Sequence, residues 1–283
     1  MNTSNAVRAE ILTQAVPYIK EYTGKYVVAK YGGNAMTDPQ LKKSVMQDIL
    51  LLQLVGVKVI LVHGGGPEIS AMLKKLSIES HFENGLRVTD DDTMEVVQMV
   101  LAGKVNKSLA ADLSALGGRA VGLCGIDGGL IKVHQKNEKL GHVGEIDEIN
   151  TKILDDLLDG GFIPVISSIG IDDDGNPYNI NADTAAKIAA ALHAESMVVM
   201  SNINGVLRDK DDENSLISQM SLADAEELKK SGIIAGGMIP KVDCCTNAVK
   251  EGVKKVFIIN GEIPHAILIE LLTDEGLGTM FTK

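Results

Sequence analysis

Three consecutive glycines follow a histidine in the stretch VKVILVHGGGPEISAMLK, residues 57–74. The apolar run 59–62 leads into His63, Gly64, Gly65, Gly66 and Pro67, and an apolar-periodic segment then begins. That pattern predicts a buried strand, a tight turn and a helix with proline in its first turn. Glycine leaves the backbone of the turn uncovered, and the amides at a helix start lack internal partners and carry partial positive charge. Such a place binds anions, phosphate above all. A second turn of this type follows the strand expected at 25–30. Lys30 stands at the strand end beside Tyr31, Gly32 and Gly33, where an ammonium can sit over a phosphoryl group and the amides add donors. Parallel pairing of the two strands brings both turns to one sheet edge. A third glycine turn, GGMIPK at 236–241, puts Lys241 in a first helical turn. A cation there opposes the helix dipole unless it faces an anion.

Two further polar groups suit recognition of a small acid. Arg87 lies in GLRVTDDD (85–92); it can grip a carboxylate in a bidentate fork, or pair with Asp90 or Asp91. The run YNINADTAA (178–186) spaces Asn179, Asn181 and Asp183 two apart. If extended, they share one face. Asp183 could then orient two lysines and Asn179 could hold an amide or carboxylate; the alternative is an Asn or Asp helix cap.

The elements that must position these groups alternate strand with helix. Strands are expected at 25–30, 58–62, 120–124, 130–134, 162–167, 196–200 and 256–259. Helices are expected from Pro39 behind an Asp38 cap, from residue 67, at 90–116, 150–158 and 182–193, after the capping box Ser221–Asp224, and after the turn at 236–241. Segment 80–89 reads as a hairpin or lid. The series predicts an α/β protein, a mainly parallel sheet with helices on both faces. The expected division is an N-terminal helix over 1–24 kinked at Pro17, a lobe over 25–194 and a second lobe over 195–283.

Composition narrows the function. Among 283 residues, 27 are basic and 38 acidic, a formal charge of −11. This disfavours nucleic acid and anionic membranes as partners. Aromatics are only 3% and Trp is absent, so the core must be aliphatic. Three cysteines, two of them adjacent (Cys244, Cys245), make neither a disulfide framework nor a zinc spacing. A reducing cytoplasm is the expected compartment. GxxxxGK[ST] is missing, Ile69 breaks the GxGxxG spacing, and no GxSxG elbow accompanies HGGG.

Taken together, KYGGNAM (30–36), LVHGGGPEI (61–69), GLRVTD (85–90), GHVGEI (141–146), NINADTAA (179–186) and GGMIPKV (236–242) resemble the amino-acid kinase family, and within it the members that phosphorylate N-acetyl-L-glutamate. The resemblance runs from about residue 25 to the C-terminus. It implies a three-layer αβα sandwich, ATP with Mg2+, and transfer of the γ-phosphate to the substrate's γ-carboxylate in arginine synthesis. Carried over by position, Lys30 and Lys241 neutralise the transferring phosphoryl and Asp183 holds both lysines. Gly33 and Gly65 offer amide donors, and Gly32 and Gly66 shape the turns. Arg87 and Asn179 grip the substrate. Magnesium rides on the nucleotide, with no dedicated protein ligand expected. A carboxylate acceptor needs no general base, so His63 is read as an imidazole that hydrogen-bonds its own turn. The N-terminal helix and the tail HAILIELLTDEGLGT (265–279) resemble arginine-inhibited hexamers built as trimers of dimers, with an arginine pocket that could use His265. Some such enzymes also bind a PII signalling protein. Ser201-Asn202, Ile126 and Lys187 depart from the family's usual residues. Competing readings are a carbamate, glutamate or aspartate kinase, a nonenzymatic arginine or nucleotide sensor, and, least favoured, a Rossmann oxidoreductase.

Overall fold

The computed structural model describes residues 4–36, 38–180 and 184–283. The chain opens with α1 (Asn5–Gln14) and α2 (Val16–Tyr22), broken where Pro17 enters the first turn of α2. Next come β1 (Tyr26–Tyr31), α3 (Pro39–Leu54), β2 (Lys58–His63) and α4 (Gly66–Lys75). Asp38 caps α3, its carboxylate accepting from the amides of Gln40 at 2.7 Å and Leu41 at 3.0 Å, with Pro39 in the first turn.

Segment 80–89 is a short hairpin, β3 (Phe82–Glu83) with β4 (Leu86–Arg87). The long helix expected over 90–116 is present with an interruption. Asp90 caps α5 (Asp91–Gln98), a π-helical stretch follows over Met99–Val105, and α6 (Asn106–Ala115) completes it. Then come β5 (Ala120–Cys124), β6 (Ile131–Gln135), β7 (Gly144–Ile149), α7 (Lys152–Asp159), β8 (Ile163–Ser167), β9 (Ile169–Ile171), β10 (Pro177–Asn179) and α8 (Thr184–Ala191). The C-terminal part holds β11 (Ser196–Ser201), β12 (Gln219–Ser221), α9 (Leu222–Lys230), α10 (Met238–Lys250), β13 (Lys255–Asn260), α11 (Ala266–Leu272) and β14 (Thr279–Thr282). The capping box forms as expected: Ser221 Oγ accepts from the Asp224 amide at 3.1 Å, and the Asp224 carboxylate accepts from the Ser221 amide at 2.9 Å.

One eight-stranded sheet runs through the molecule in the order β12-β14-β13-β11-β1-β2-β8-β5. Every neighbouring pair is parallel except β13 with β14. Its central strands are buried on both faces and so read as unbroken apolar runs. Alternate residues enter two separate cores. Val28, Ile60, Val62 and Val199 pack with α7, α8 and α10 on one side. Val27, Ala29, Val59, Leu61 and Val198 pack with α3, α5, α6 and α11 on the other. The fold is thus a three-layer αβα sandwich on a mainly parallel sheet.

A small sheet, β10-β9-β6-β7, was not anticipated beyond β6. β9 and β10 are three residues each, and β7 is largely polar, so none carries a periodic signal long enough to read. It is stitched to the loop after the hairpin. Thr89 bridges Gly141, the Thr89 amide donates to Leu140 O at 2.9 Å, and the His142 amide donates to Thr89 O at 2.6 Å. Gly141 has φ +65°, and a Cβ there would lie 2.2 Å from Thr89 O. Replacing Gly141 by alanine therefore strains the backbone and breaks the bridge. Urea denaturation of Gly141→Ala is expected to show a loss of about 2 kcal/mol or more.

Candidate functional site

The C-terminal ends of β1 and β2 frame a cavity of about 240 Å³. Lys30, the glycines 64–66, Arg87 and Asn179 all line it. Parallel register explains the meeting of the first two features: Lys30 lies opposite Val62, and Tyr31 opposite His63, so the two strands end together. Gly32 and Gly33 follow at once, and Gly33 takes φ +71° as it opens a 3-10 turn over Gly33–Met36. Neither of these two glycines lines the cavity.

Among the described residues the amides of Gly65 and Gly66 have no hydrogen-bond acceptor. They open α4, so their partial positive charge adds to that of Lys30. Gly65 is also a packing requirement, because a Cβ there would come 2.7 Å from Leu101 Cδ2 in the π-helical stretch.

Arg87 is only 5% exposed. The alternative of pairing with Asp90 or Asp91 does not occur. Asp90 accepts from the Thr93 amide, and Asp91 lies 2.7 Å from His142 Nε2. Arg87 instead donates to Ser70 Oγ at 2.8 Å, to Gly66 O at 3.3 Å and to Ser80 Oγ, and its guanidinium lies over the Phe82 ring at 4.7 Å. Burial alone pulls its pKa down from the usual arginine value. Among the described residues no carboxylate forms an ion pair with this cation. Neutral hydroxyls orient it without cancelling its charge, which leaves the cavity attractive to an anion. Ser70 and Ser80 carried no signal in the sequence; only the fold shows them reaching Arg87.

Asn179 is 6% exposed and ends β10. Its amide donates to His142 O at 2.8 Å, and its side chain reaches toward Thr89 Oγ1 at 3.4 Å. Thus it is held by the same stitch that holds the Arg87 loop. Asn181 and Asp183 lie outside the described residues.

Lys241 does not line this cavity. Its Nζ donates to Ser201 Oγ at 3.1 Å. Ser201 ends β11, the strand paired with β1 on the side away from β2, with Val199 opposite Lys30. The ammonium is therefore tethered at the same sheet edge, one strand over from Lys30. Beyond it opens a wider cleft of about 990 Å³ between the loop from Asn202 to Lys210 and the turn that starts α10.

His63 is buried, 1% exposed. Its Nδ1 lies 2.8 Å from Gly64 O, and its Nε2 lies 3.0 Å from Asn106 Nδ2. Burial pushes its pKa down to about 4. His265, in contrast, sits elsewhere. It immediately precedes α11 in the left-handed region, φ 60°, and its Nδ1 lies 2.6 Å from Asp48 Oδ1 on α3. A separate cavity between α2 and α11 is lined by Tyr18, Glu21, Glu270 and Asp274, and His265 does not line it. Among the described residues no cluster of His, Cys, Asp or Glu could hold a metal, and no helix is long and apolar enough to cross a membrane.

The His63 site has a consequence for stability. In the unfolded chain an imidazole takes up a proton near pH 6.5, whereas the folded site refuses it until about pH 4. The unfolded state then binds more protons in that window, so stability falls as the pH falls through it, by up to about 3 kcal/mol. Urea denaturation at pH 7 and pH 5 should show about 2 kcal/mol of this loss in the natural protein and a smaller one in His63→Asn.

A sequence model of the amino acid kinase family matches residues 25–260. The chain is 56% identical over 285 residues to the acetylglutamate kinase of Brachyspira hyodysenteriae, covering 100% of this chain and 99% of that protein. It is 53% identical to that of Caldanaerobacter subterraneus, covering 98% and 94%, and 51% identical to that of Nostoc sp., covering 98% and 94%. Among solved structures it is similar to N-acetylglutamate synthase from Neisseria gonorrhoeae complexed with coenzyme A and N-acetyl-glutamate. The TM-score is 0.84 at 26% identity, covering 99% of this chain and 64% of that longer one. Carbamate kinase from Giardia lamblia bound to AMP-PNP shares the fold, with a TM-score of 0.69 at 17% identity over 92% of this chain and 99% of that one. With its sandwich, its glycine turn and a match over most of its length, the chain belongs to the amino acid kinase family.

Proposed function

We propose that this protein transfers the γ-phosphate of ATP to the γ-carboxylate of N-acetyl-L-glutamate, a step of arginine synthesis. The observation that carries the reading is Arg87: a buried cation with no carboxylate partner among the described residues, in one cavity with Lys30 and the glycine turn. Full-length similarity to acetylglutamate kinases supports it.

The chemistry is a meeting of two anions. The acceptor carboxylate is ionised at neutral pH and attacks without losing a proton. At about 4 Å two unit charges repel by about 4 kcal/mol at an effective dielectric near 20. Catalysis is therefore charge cancellation and alignment. Arg87 fixes the α-carboxylate in its fork, and Asn179 takes a polar group of the acylated amine. The amides of Gly65 and Gly33 and the ammonium groups of Lys30 and Lys241 receive the charge on the transferring group, while Gly32 and Gly66 keep the two turns free of side chains. Asp183 holds the two lysines by the family resemblance. The wide cleft beyond Lys241 takes the nucleotide, whose bound Mg2+ neutralises phosphate charge.

Residues 25–194 form the acyl-amino-acid lobe and residues 195–283 the nucleotide lobe. The arm assembles a hexamer. Val7, Ile11 and Leu12 of α1 are 42, 56 and 73% exposed, a stripe that needs a partner. L-arginine inhibits by entering the cavity between α2 and α11, where Glu21, Glu270 and Asp274 suit a guanidinium.

A hydroxamate assay is expected to give product with N-acetyl-L-glutamate and little with glutamate or aspartate; preference for either free amino acid would reject the reading. Lys30→Ala and Lys241→Ala should each lower kcat about 100-fold or more with an unchanged circular dichroism spectrum. Arg87→Lys should chiefly raise KM for the acyl amino acid, since a point charge cannot replace the fork. Tyr22 is buried and its hydroxyl meets Ser196 Oγ at 3.2 Å, so truncation should stop at Gln14. Removing residues 1–14 should leave an active dimer by light scattering that has lost arginine inhibition.

A further inference from the structure

The peptide between Gly64 and Gly65 lies within the anion turn. Glycine on both sides lets such a plane rotate with little steric penalty. In a planar trans peptide the carbonyl and the next N–H point in opposite directions. Whatever grips Gly64 O therefore decides where Gly65 N–H points.

The grip is His63 Nδ1, 2.8 Å from Gly64 O. A carbonyl only accepts, so Nδ1 must carry the proton. The other nitrogen, Nε2, faces Asn106 Nδ2 at 3.0 Å. The orientation of that amide is fixed by its neighbours. Asn106 Nδ2 also reaches the carbonyls of Val165 at 2.8 Å and Leu123 at 3.1 Å, while Lys107 Nζ donates to Asn106 Oδ1 at 3.1 Å. The atom facing the imidazole is thus an amide nitrogen, whose two protons are shared among these three acceptors and which cannot itself accept; a proton on Nε2 would have no partner, so Nε2 is bare. One tautomer satisfies both contacts.

The surroundings are built for this pair. Asn106 and His63 are 0 and 1% exposed. Asn106 follows directly on the π-helical stretch Met99–Val105, whose wider turn shifts the phase of the helix at this point. Gly122 leaves room for the amide, since a Cβ there would lie 2.0 Å from Asn106 Oδ1.

We infer that Asn106 and His63 are positioning residues: Asn106 selects the Nδ1–H tautomer of His63, and His63 then holds the Gly64–Gly65 peptide with its N–H toward the bound anion. This deepens the kinase reading and rests on it. No proton moves during turnover; the relay sets the direction of one dipole before the reaction begins.

Two measurements test it. In nitrogen-15 imidazole spectra of the unmodified protein, His63 should show a protonated Nδ1 and a bare Nε2, unchanged from pH 6 to pH 8. An Nε2–H tautomer, or titration in that range, would overturn the relay whatever the enzyme's substrate proves to be. The second uses side chains that keep half of the histidine. His63→Asn retains a donor at the Nδ1 position, His63→Gln retains only an Nε2 equivalent, and His63→Leu retains neither. The expected result is a loss of kcat of about 100-fold in the Gln and Leu variants at nearly unchanged KM, with most of it recovered in Asn. Equal turnover in all three folded variants would refute the relay. Absence of kinase activity in the unmodified protein would instead refute the proposed reaction, and the imidazole spectrum would still decide the geometry.

Discussion

Parallel pairing at the centre of the sheet is the constraint on which the rest depends. β1 is flanked by β2 on one side and β11 on the other, and all three point the same way. Each strand therefore delivers its terminal turn to one edge. Lys30, the glycine turn after His63 and the Ser201 tether of Lys241 come from stretches scattered over more than two hundred residues. They reach the same edge because neighbouring parallel strands lie only about 4.8 Å apart. An antiparallel partner in either position would send its turn to the opposite edge.

The same arrangement explains how a chain with a formal charge of −11 can present a positive site. The acidic excess lies largely on exposed surfaces, where it is solvated or paired with nearby lysines, as in Lys132 with Asp173 and Lys152 with Asp156. Such pairs contribute little energy. Inside the cavity the logic reverses. Arg87 is buried among hydroxyls and a carbonyl, His63 is kept neutral, and the glycine turn lines the opening. Net charge and local field have opposite signs because burial, not number, decides how strongly a charge acts.

Much of this was legible in the sequence. Long apolar runs gave the central strands, Asp38 with Pro39 and Ser221 with Asp224 gave helix starts, and the glycine turns marked the sheet edge. Each of those signals is local: a strand period, a cap or a breaker needs only a few neighbours. What escaped was set by distance. The sequence around Arg87 offers Asp90 and Asp91 as partners, yet the fold supplies Ser70 and Ser80. Asn106 sits in a helix whose apolar spacing reads as continuous, because one π turn changes the phase without changing composition. β7, β9 and β10 are too short or too polar to show a period and exist because β6 and the Thr89 stitch give them a surface to pair with.

The joint between α3 and α11 shows how the C-terminal part of the chain is fastened away from the sheet. Asp48 is fully buried, and burial raises its pKa to about 6. A lone carboxylate there would be costly, but His265 Nδ1 stands 2.6 Å away, and the amides of Ile267 and Leu268 at the start of α11 favour its charge. His265 stands at the start of that helix in the left-handed conformation, where most side chains are strained. The strain is sustained because Asp48 and Ser44, both on α3, hold the ring from the other side. This pair therefore couples α11, which lies against α2 and the acidic cavity, to the helix that follows the Lys30 turn. A shift of α11 would have to carry α3 with it or break the contact of His265 with the buried Asp48 carboxylate, so side chains as well as the sheet join the helix beside the outer cavity to the helix that follows the Lys30 turn.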